Sequence, residues 1–576
     1  MVTITDEELR RIKPSAPRET VQVRFDDVQE IYEGPVGTTL EVFVKAAQLK
    51  TESLIMAALV GGELCELTVP VYHDIDVTAV TMANSDGIRI YQRSLTLLLS
   101  VATRELFPGA RLMVDHMVPL GGFYCEVRGH APLTAQEIAQ IEARMREIVN
   151  ADEPIIRESI PVTKAVEMFQ DLGYEDKVQL LKYRKKNYLP VYSLLGHYDY
   201  FYGYMVPSSG YLRYFSLSHQ GGGFVLHFPT RFKATDMPQV RHYPQLISAF
   251  LEYGRWLDLM GVRDVASLNN SIGSGRIREV VLVAEALHEQ RVAKLASNIA
   301  ARQGQVRLVF IAGPSSAGKT TFTRRLAIQL LAHGVKPVYI GLDDYFVDRE
   351  KTPRDENGEY DFEALEAVEL DLFHAQVPRL MRGELVTLPR YNFLTGKRED
   401  GAALKIGESH VLLVEGIHGL NPALLPNVPR DSIYRIYVSP LTQLNLDHHN
   451  RIPTSDTRLL RRITRDAAQR GYSALTTIQR WENVRRGEVK YIFPYQGNAD
   501  AIFNSALVYE LAVLQPLVLP LLRQVEPGTQ EYVEAKRLMS FLEWIEPCSG
   551  DVVPDNSILR EFIGNSILED YLPIWE

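Results

Sequence analysis

The segment Gly313-Pro314-Ser315-Ser316-Ala317-Gly318-Lys319-Thr320 has the residue types and spacing to bind phosphate. In a GxxxxGK[ST] loop the glycines let the backbone curl so that successive N–H groups face an anion. Lys319 then reaches the β- and γ-phosphates of a nucleotide, and the Thr320 hydroxyl is placed for Mg2+. The flanking residues agree. Val306, Leu308, Val309, Phe310 and Ile311 predict a short strand, and KTTFTRRLAIQLLAHG predicts a helix opening near Lys319. The positive end of that helix dipole would lie under the same phosphates. Gly313 through Thr321 is thus the expected nucleotide cradle, with ATP and Mg2+ as the expected cofactors. The alternative is a glycine-rich strand-to-helix turn that binds nothing.

Two further apolar runs end in carboxylates. PVYIGLDDYF ends in Asp343 and Asp344, and HVLLVEGIHGL ends in Glu415-Gly416. Ligands of doubly wound α/β folds bind at the carboxyl ends of the strands, so these acids are expected to face the phosphates. Thr320, Asp343 and Glu415 are the expected metal-holding set. Each acid alone reads equally well as a helix cap or a loop charge; two of them beside a phosphate loop favour chemistry. The segment DTRLLRRITRDAAQRG carries Arg462, Arg465 and Arg470, which on a helix fall within an arc of about 140°. Guanidinium forks on one face can position a phosphoryl group and neutralise its oxygens. Seen alone, an arginine-rich helix is an ordinary solvated face.

Composition bounds the remaining choices. At 576 residues the chain should hold two to four domains. Its 46% hydrophobic and 23% charged residues are those of a soluble globular protein. A net charge of −10 disfavours RNA as the main partner, while leaving room for a local basic groove. Three cysteines, Cys65, Cys125 and Cys548, offer neither a disulfide framework nor a zinc motif. The polar opening MVTITDEELRRIKPSAPRET does not read as a signal peptide. The most apolar run, LAVLQPLVLPLL at 511–522, is too short to span a bilayer and holds two prolines. A cytoplasmic protein without membrane contact is expected.

The elements that must hold these residues follow from the patterning. Short β-rich runs over 20–85 (VQVRF, LCELTVPVY, DVTAVTM) predict a small α+β module. Helices are expected at 91–107 and at 134–150, the latter opened by a Thr134/Glu137 capping box. The Tyr-, Phe- and Gly-rich stretch 188–232 reads as sheet and loops. Helices at 240–260 and 276–302 lead into the phosphate-loop strand. From 306 to about 505, strands and helices alternate as in a parallel sheet, and the tail is mainly helical. The fold class is therefore α/β in the C-terminal half, preceded by α+β domains.

Over 306–505 the chain resembles the uridine kinase and phosphoribulokinase branch of the P-loop kinases. The resemblance rests on the phosphate loop, the Asp343-Asp344-Tyr345-Phe346 strand end, Asp361-Phe362-Glu363, Pro389-Arg390-Tyr391-Asn392-Phe393, Glu415-Gly416-Ile417, and the arginine helix. It implies that Asp343 is the base acting on the acceptor hydroxyl. It implies that Glu363 binds ribose in place of the usual Asp, and that Phe362, Tyr391, Phe393 and Ile417 wall the base pocket. Arg462, Arg465 and Arg470 would hold acceptor and phosphates from a lid helix, with Lys319 on the phosphates from the loop. One position departs. Pyrimidine-selective members place a base-reading His five residues after the motif Tyr, where this chain has Gly396; His418 is the nearest substitute.

Residues 20–235 resemble the front of a threonyl-tRNA synthetase, a TGS domain followed by the editing domain shared with alanyl enzymes. The stretches that carry this are GTTLEVFVKAA, GELCELTVPVYHDIDVTAVT, LFPGARLMVDHMVPLGGFYCEV, TAQEIAQIEARMREIVNADEPIIRE and VPSSGYLRYF. Those editing domains use an HxxxH and a CxxxH pair. The corresponding positions here are Arg93, Leu97, Phe201 and Met205, and none of the four is a usual Zn2+ ligand. The expected organisation is a TGS-like domain at 18–85, a degenerate editing-like domain at 86–235, a helical connector at 236–302, the kinase-like domain at 303–510 and a helical segment at 511–576. The expected activity is ATP-dependent phosphorylation of a small-molecule hydroxyl, first of all a nucleoside 5′-hydroxyl. A sugar-phosphate acceptor, or a nucleotide-gated protein that binds tRNA or the ribosome, are the alternatives. A homo-oligomer is left open.

Overall fold

The computed structural model describes residues 11, 16–118, 121–238, 244–355 and 358–571. They fall into two compact units. One is drawn from Met1–Arg111, Val127–Ser159 and Pro190–Pro238, the other from Leu112–Glu126, Ile160–Leu189 and Gln239–Glu576.

In the first unit, strands Thr20–Phe25, Glu30–Pro35, Ile55–Val60, Glu63–Cys65 and Ile75–Thr81 form one five-stranded sheet. Its centre is a parallel pair, with Val23 opposite Ile75. The helix Leu40–Ala47 closes it, burying Leu40, Phe43 and Val44 against Val21, Val23, Phe25 and Val77. Two longer helices follow. Ser85–Leu106 begins earlier than the 91–107 pattern suggested, because Ile88, Ile90 and Tyr91 continue its buried face. Ala135–Ala151 opens on the expected capping box, with the Thr134 and Glu137 side chains each bonded to the other's backbone. The aromatic stretch supplies antiparallel pairs, among them Ser216–Gln220 with Gly223–His227.

The second unit is built on a parallel sheet. Its strands run in the order Lys336–Gly341, His410–Glu415, Leu308–Ala312, Ile433–Ser439 and Ala501–Asn504, and every pairing is parallel. All residues of Leu308–Ala312 and Ile433–Ser439 are buried, as central strands covered on both faces must be. One face packs Leu308, Phe310, Val338, Ile340 and Leu412 against Phe373, Val377 and Leu380 of the helix Leu370–Met381. The helix Lys319–Ala332 buries Phe322, Leu326 and Leu330. It is tied to the preceding helix Ile277–Ala300 by Arg325 and Gln329, which both donate to Glu289.

Three features were not expected from the sequence. A separate short helix, Val265–Gly273, lies between the two connector helices and is capped by Asp264. The segment Pro389–Phe393 lies at the tip of an antiparallel hairpin, Val386–Asn392 with Lys397–Leu404. The loop leading into the arginine helix Thr454–Arg470 is pinned by an ion pair between Lys177 Nζ and Asp447 Oδ1 at 2.9 Å, both side chains sealed from solvent. No helix among the described residues is long and apolar enough to cross a membrane.

Candidate active site

Strand register delivers the first three groups to one end of the sheet. Glu415, the last residue of its strand, sits beside Ile311 on one side and Gly341 on the other. It therefore lies level with the start of the phosphate loop and just before Asp343. Its carboxylate accepts from Thr320 Oγ1 at 3.1 Å and from Tyr339 Oη at 3.1 Å. Lys319 Nζ curls back to Pro314 O at 3.2 Å, the position from which it can swing onto a phosphate. The loop turns through left-handed conformations at Ser316 and Gly318. Only glycine fits at 318, since a Cβ there would lie 2.5 Å from Ile558 Cγ2.

The acids of this site titrate abnormally. Desolvation pushes Glu415 up to about 7, with Glu561 and Asp343 adding to the rise and Lys319 and the Thr320 hydrogen bond opposing it. Desolvation also pushes Glu363 up to about 7; Glu488 raises it further, and Arg462 and Lys319 pull it down. Asp343 has a solvent-facing surface, yet enough protein surrounds it that desolvation raises its carboxyl above the usual range, against Lys319 and Arg470. These shared perturbers place Asp343, Glu363 and Glu415 in the field of one lysine. Asp344 turns to the hairpin, accepting the Tyr391 N–H at 3.3 Å.

The Thr320 hydroxyl with the Glu415 and Asp343 carboxylates is a set of hard oxygen donors that suits Mg2+. Among the described residues, no group of three or more His, Cys, Asp or Glu side chains converges as an all-protein metal site.

The arginine helix reaches the loop directly. Arg462 Nη1 donates to Ser315 Oγ at 2.9 Å, and Arg465 Nη2 lies 3.4 Å from Ser316 Oγ. Arg470, the last helical residue, is half exposed and pairs with Asp466 at 3.2 Å rather than with the loop. Asp466 proves to be the hub of the cluster: its carboxylate also lies 3.3 Å from Arg462 Nε and 3.8 Å from Arg465 Nε. Its spacing, four residues from both Arg462 and Arg470, could have shown this. Arg461 carries no sequence signal that sets it apart from its neighbours. It is sealed from solvent and donates to Glu510 at 2.6 Å and to Ser505 O at 2.8 Å, with Ser316 O at 3.5 Å.

Glu363 rests on Gly487, where a Cβ would lie 2.6 Å from the Glu363 Cβ. Its neighbour Glu488 is fully buried and held by Arg458 and Arg485. Tyr391 is buried, with the Phe346 and Phe393 rings at 5.7 and 5.1 Å. The other wall residues are not gathered around it. Phe362 is exposed and lies against Tyr360, while Ile417 packs against the core of Leu420 and Tyr437. His418 is buried beside Tyr491, and desolvation lowers it to about 4, so the imidazole is neutral. At Gly396 a side chain has no room: its Cβ would meet Arg349 Cβ and Nε at 2.9 Å. Arg349 crosses this turn and donates to Phe393 O at 2.8 Å.

In the first unit, the four positions that correspond to metal ligands form packed structure. Arg93 Nε donates to Tyr204 O at 3.1 Å, and its guanidinium covers Gly203. Leu97, Phe201 and Met205 are buried. Buried Glu66 accepts from the Met205 N–H at 3.1 Å and from Tyr192 Oη at 2.5 Å.

Residues 308–512 match the family described as Phosphoribulokinase / Uridine kinase family. The N-terminal part is similar to threonine–tRNA ligases. The Burkholderia multivorans protein is 32% identical over 197 residues, 34% of this chain and 30% of the ligase. The Marinobacter nauticus protein is 30% identical over 170 residues, 29% of this chain and 26% of the ligase. The chain spans about 30% of the length of the curated relatives it matches. Among solved structures, a possible uridine kinase from Bacillus stearothermophilus is 19% identical and covers 37% of this chain and 97% of its own, with a TM-score of 0.28. A putative fructose transport system kinase from Silicibacter is 19% identical, with 37% and 98% covered and a TM-score of 0.26.

Proposed function

We propose that this protein is an ATP-dependent kinase that transfers the γ-phosphoryl group to a small-molecule hydroxyl, the 5′-hydroxyl of a uridine- or cytidine-like nucleoside. The observation that carries this is the reach of Arg462 and Arg465 to Ser315 and Ser316 of the phosphate loop that carries Lys319. Phosphoryl transfer asks little of a protein beyond positioning and charge neutralisation, and these cations supply both. Asp343 accepts the proton of the acceptor hydroxyl, its raised carboxyl being a better base than an ordinary aspartate. Glu363 takes the acceptor's sugar hydroxyls, and Tyr391 with Phe393 lies against its ring. Arg470 comes into play through Asp466 as the helix closes. Thr320, Glu415 and Asp343 would hold Mg2+, which when bound would supply charge neutralisation at the nucleotide's phosphates. The ligase-like half keeps the TGS and editing folds without their hydrolysis, and the protein works in the cytoplasm.

A second reading has one observation in its favour. Arg349 lies across the acceptor hairpin where no side chain at Gly396 can reach, and a guanidinium suits an acceptor that carries its own phosphate. Release of ADP, measured over a panel of nucleosides and sugar phosphates with and without tRNA, tests both readings. Release that requires a nucleoside supports the first, and release that requires a sugar phosphate supports the second. Release that responds to tRNA alone would make the protein a nucleotide-gated RNA binder.

A further inference from the structure

The first turn of the helix Lys319–Ala332 presents backbone N–H groups that have no acceptor within the helix. These are the donors a bound phosphate takes at such an N-terminus. At Thr321 the donors are already engaged. Its backbone N–H and its hydroxyl both donate to Glu561 Oε2, at 3.2 and 3.0 Å. Glu561 lies 240 residues downstream, in the short helix Arg560–Ile563 of the C-terminal segment. Its other oxygen is 3.7 Å from Arg465 Nη1, the arginine that also reaches Ser316.

The rest of the segment is fastened to the same place. Ile558 fills the space beside Gly318. The Phe562 ring lies under the guanidinium groups of Arg461 and Arg465, at 5.0 and 5.8 Å. Gln469 of the arginine helix donates to Glu561 O at 3.2 Å. Glu561 also adds a negative charge to an acidic neighbourhood. Asp343, Glu363 and Glu415 already crowd the loop, and Glu561 is among the groups that push Glu415 upward.

We propose that residues 557–563 act as an internal competitor of the nucleotide. Glu561 fills an anion position of the phosphate loop, and it must withdraw before a phosphate can take the Thr321 donors. The inference rests on the nucleotide-binding reading and adds a control to it: ATP entry and release of the C-terminal segment are one equilibrium. Apparent affinity is the intrinsic affinity reduced by the fraction of molecules with the segment withdrawn. Whatever draws the segment away therefore activates the enzyme.

The test is a calorimetric titration of the full-length protein with Mg·ADP, comparing wild type with Glu561→Gln. The variant keeps the shape and removes the charge, and it should bind about tenfold more tightly, as loss of a charge-assisted contact implies. Equal or weaker binding by the variant overturns the proposal while leaving the nucleotide site intact. Absence of binding by both proteins removes the nucleotide reading and the proposal together. Hydrogen exchange over 557–563 in the wild type is the second measurement. Faster exchange with saturating Mg·ADP is expected, and unchanged or slower exchange contradicts withdrawal.

Discussion

The Thr320 hydroxyl donates to Glu415 at 3.1 Å, joining residues 95 positions apart in the chain. One stands at the start of the phosphate-loop helix and the other at the end of the adjacent parallel strand. Two oxygen donors are thereby held in contact at the spot where a divalent cation would meet a nucleotide's phosphates.

On the proposed reading, that pair should make Mg2+ dependence respond to pH. Glu415 is pushed up to about 7 from an ordinary 4.5. The stability gained from its neutral form is complete below about 4.5 and lost as pH rises through about 7. The affinity for Mg2+ should run the opposite way, rising through the same window as the carboxylate ionises. Glu415→Gln should flatten that rise and weaken Mg2+ dependence by roughly 10–100-fold, with Thr320→Ala acting in the same direction. Titrations of activity against Mg2+ at pH 6 and 8 measure it; an unchanged pH profile in Glu415→Gln would remove Glu415 from the metal site.

Asp343→Asn keeps the side-chain shape and removes the proton acceptor. A fall in kcat of roughly 10²–10⁴ is expected, with ATP affinity nearly unchanged. Loss of ATP binding with kcat preserved would remove Asp343 as the base and leave it only a metal-holding or structural role.

Selectivity for the base should be loose. Position 396 carries no side chain, and His418 is buried and neutral. A site that does not hydrogen-bond the base edge cannot reject analogues strongly. Uridine, cytidine and purine nucleosides should therefore differ only modestly in kcat/KM. A preference above roughly 10⁴-fold would show that a polar group does read the edge. If Arg349→Ala then erased that preference, Arg349 would be the reader.

The ligase-like half should bind no zinc and deacylate no mischarged tRNA. Arg93 is committed to Tyr204 O, while Leu97, Phe201 and Met205 are buried apolar side chains. Elemental analysis of the full-length protein decides the first point. Stoichiometric zinc would mean that ligands come from elsewhere in the chain.

The phosphate loop, its strand and helix, and the arginine helix were legible because each is coded locally, by turn glycines or by one helical period. The parallel sheet followed from alternating patterns. What stayed hidden depends on long-range placement. No local pattern marks Glu561 as a neighbour of Thr321, nor Glu510 as the partner of Arg461. The hairpin Val386–Asn392 with Lys397–Leu404 was missed because most of its outer strand is exposed and lacks apolar alternation. Phe362, Tyr391, Phe393 and Ile417 could be picked out as wall residues, yet only the fold reveals that Ile417 belongs to the core.

The most direct measurement is transfer of label from γ-labelled ATP to an acceptor, using wild type and Lys319→Ala. The expected result is labelled nucleoside 5′-monophosphate from the wild type, formed only with Mg2+ and a nucleoside present. Label transfer by Lys319→Ala should fall to background, because a cation is lost from the β- and γ-phosphates. Label found only as free phosphate, or transfer at the wild-type rate by Lys319→Ala, would contradict the assignment of this site as a kinase.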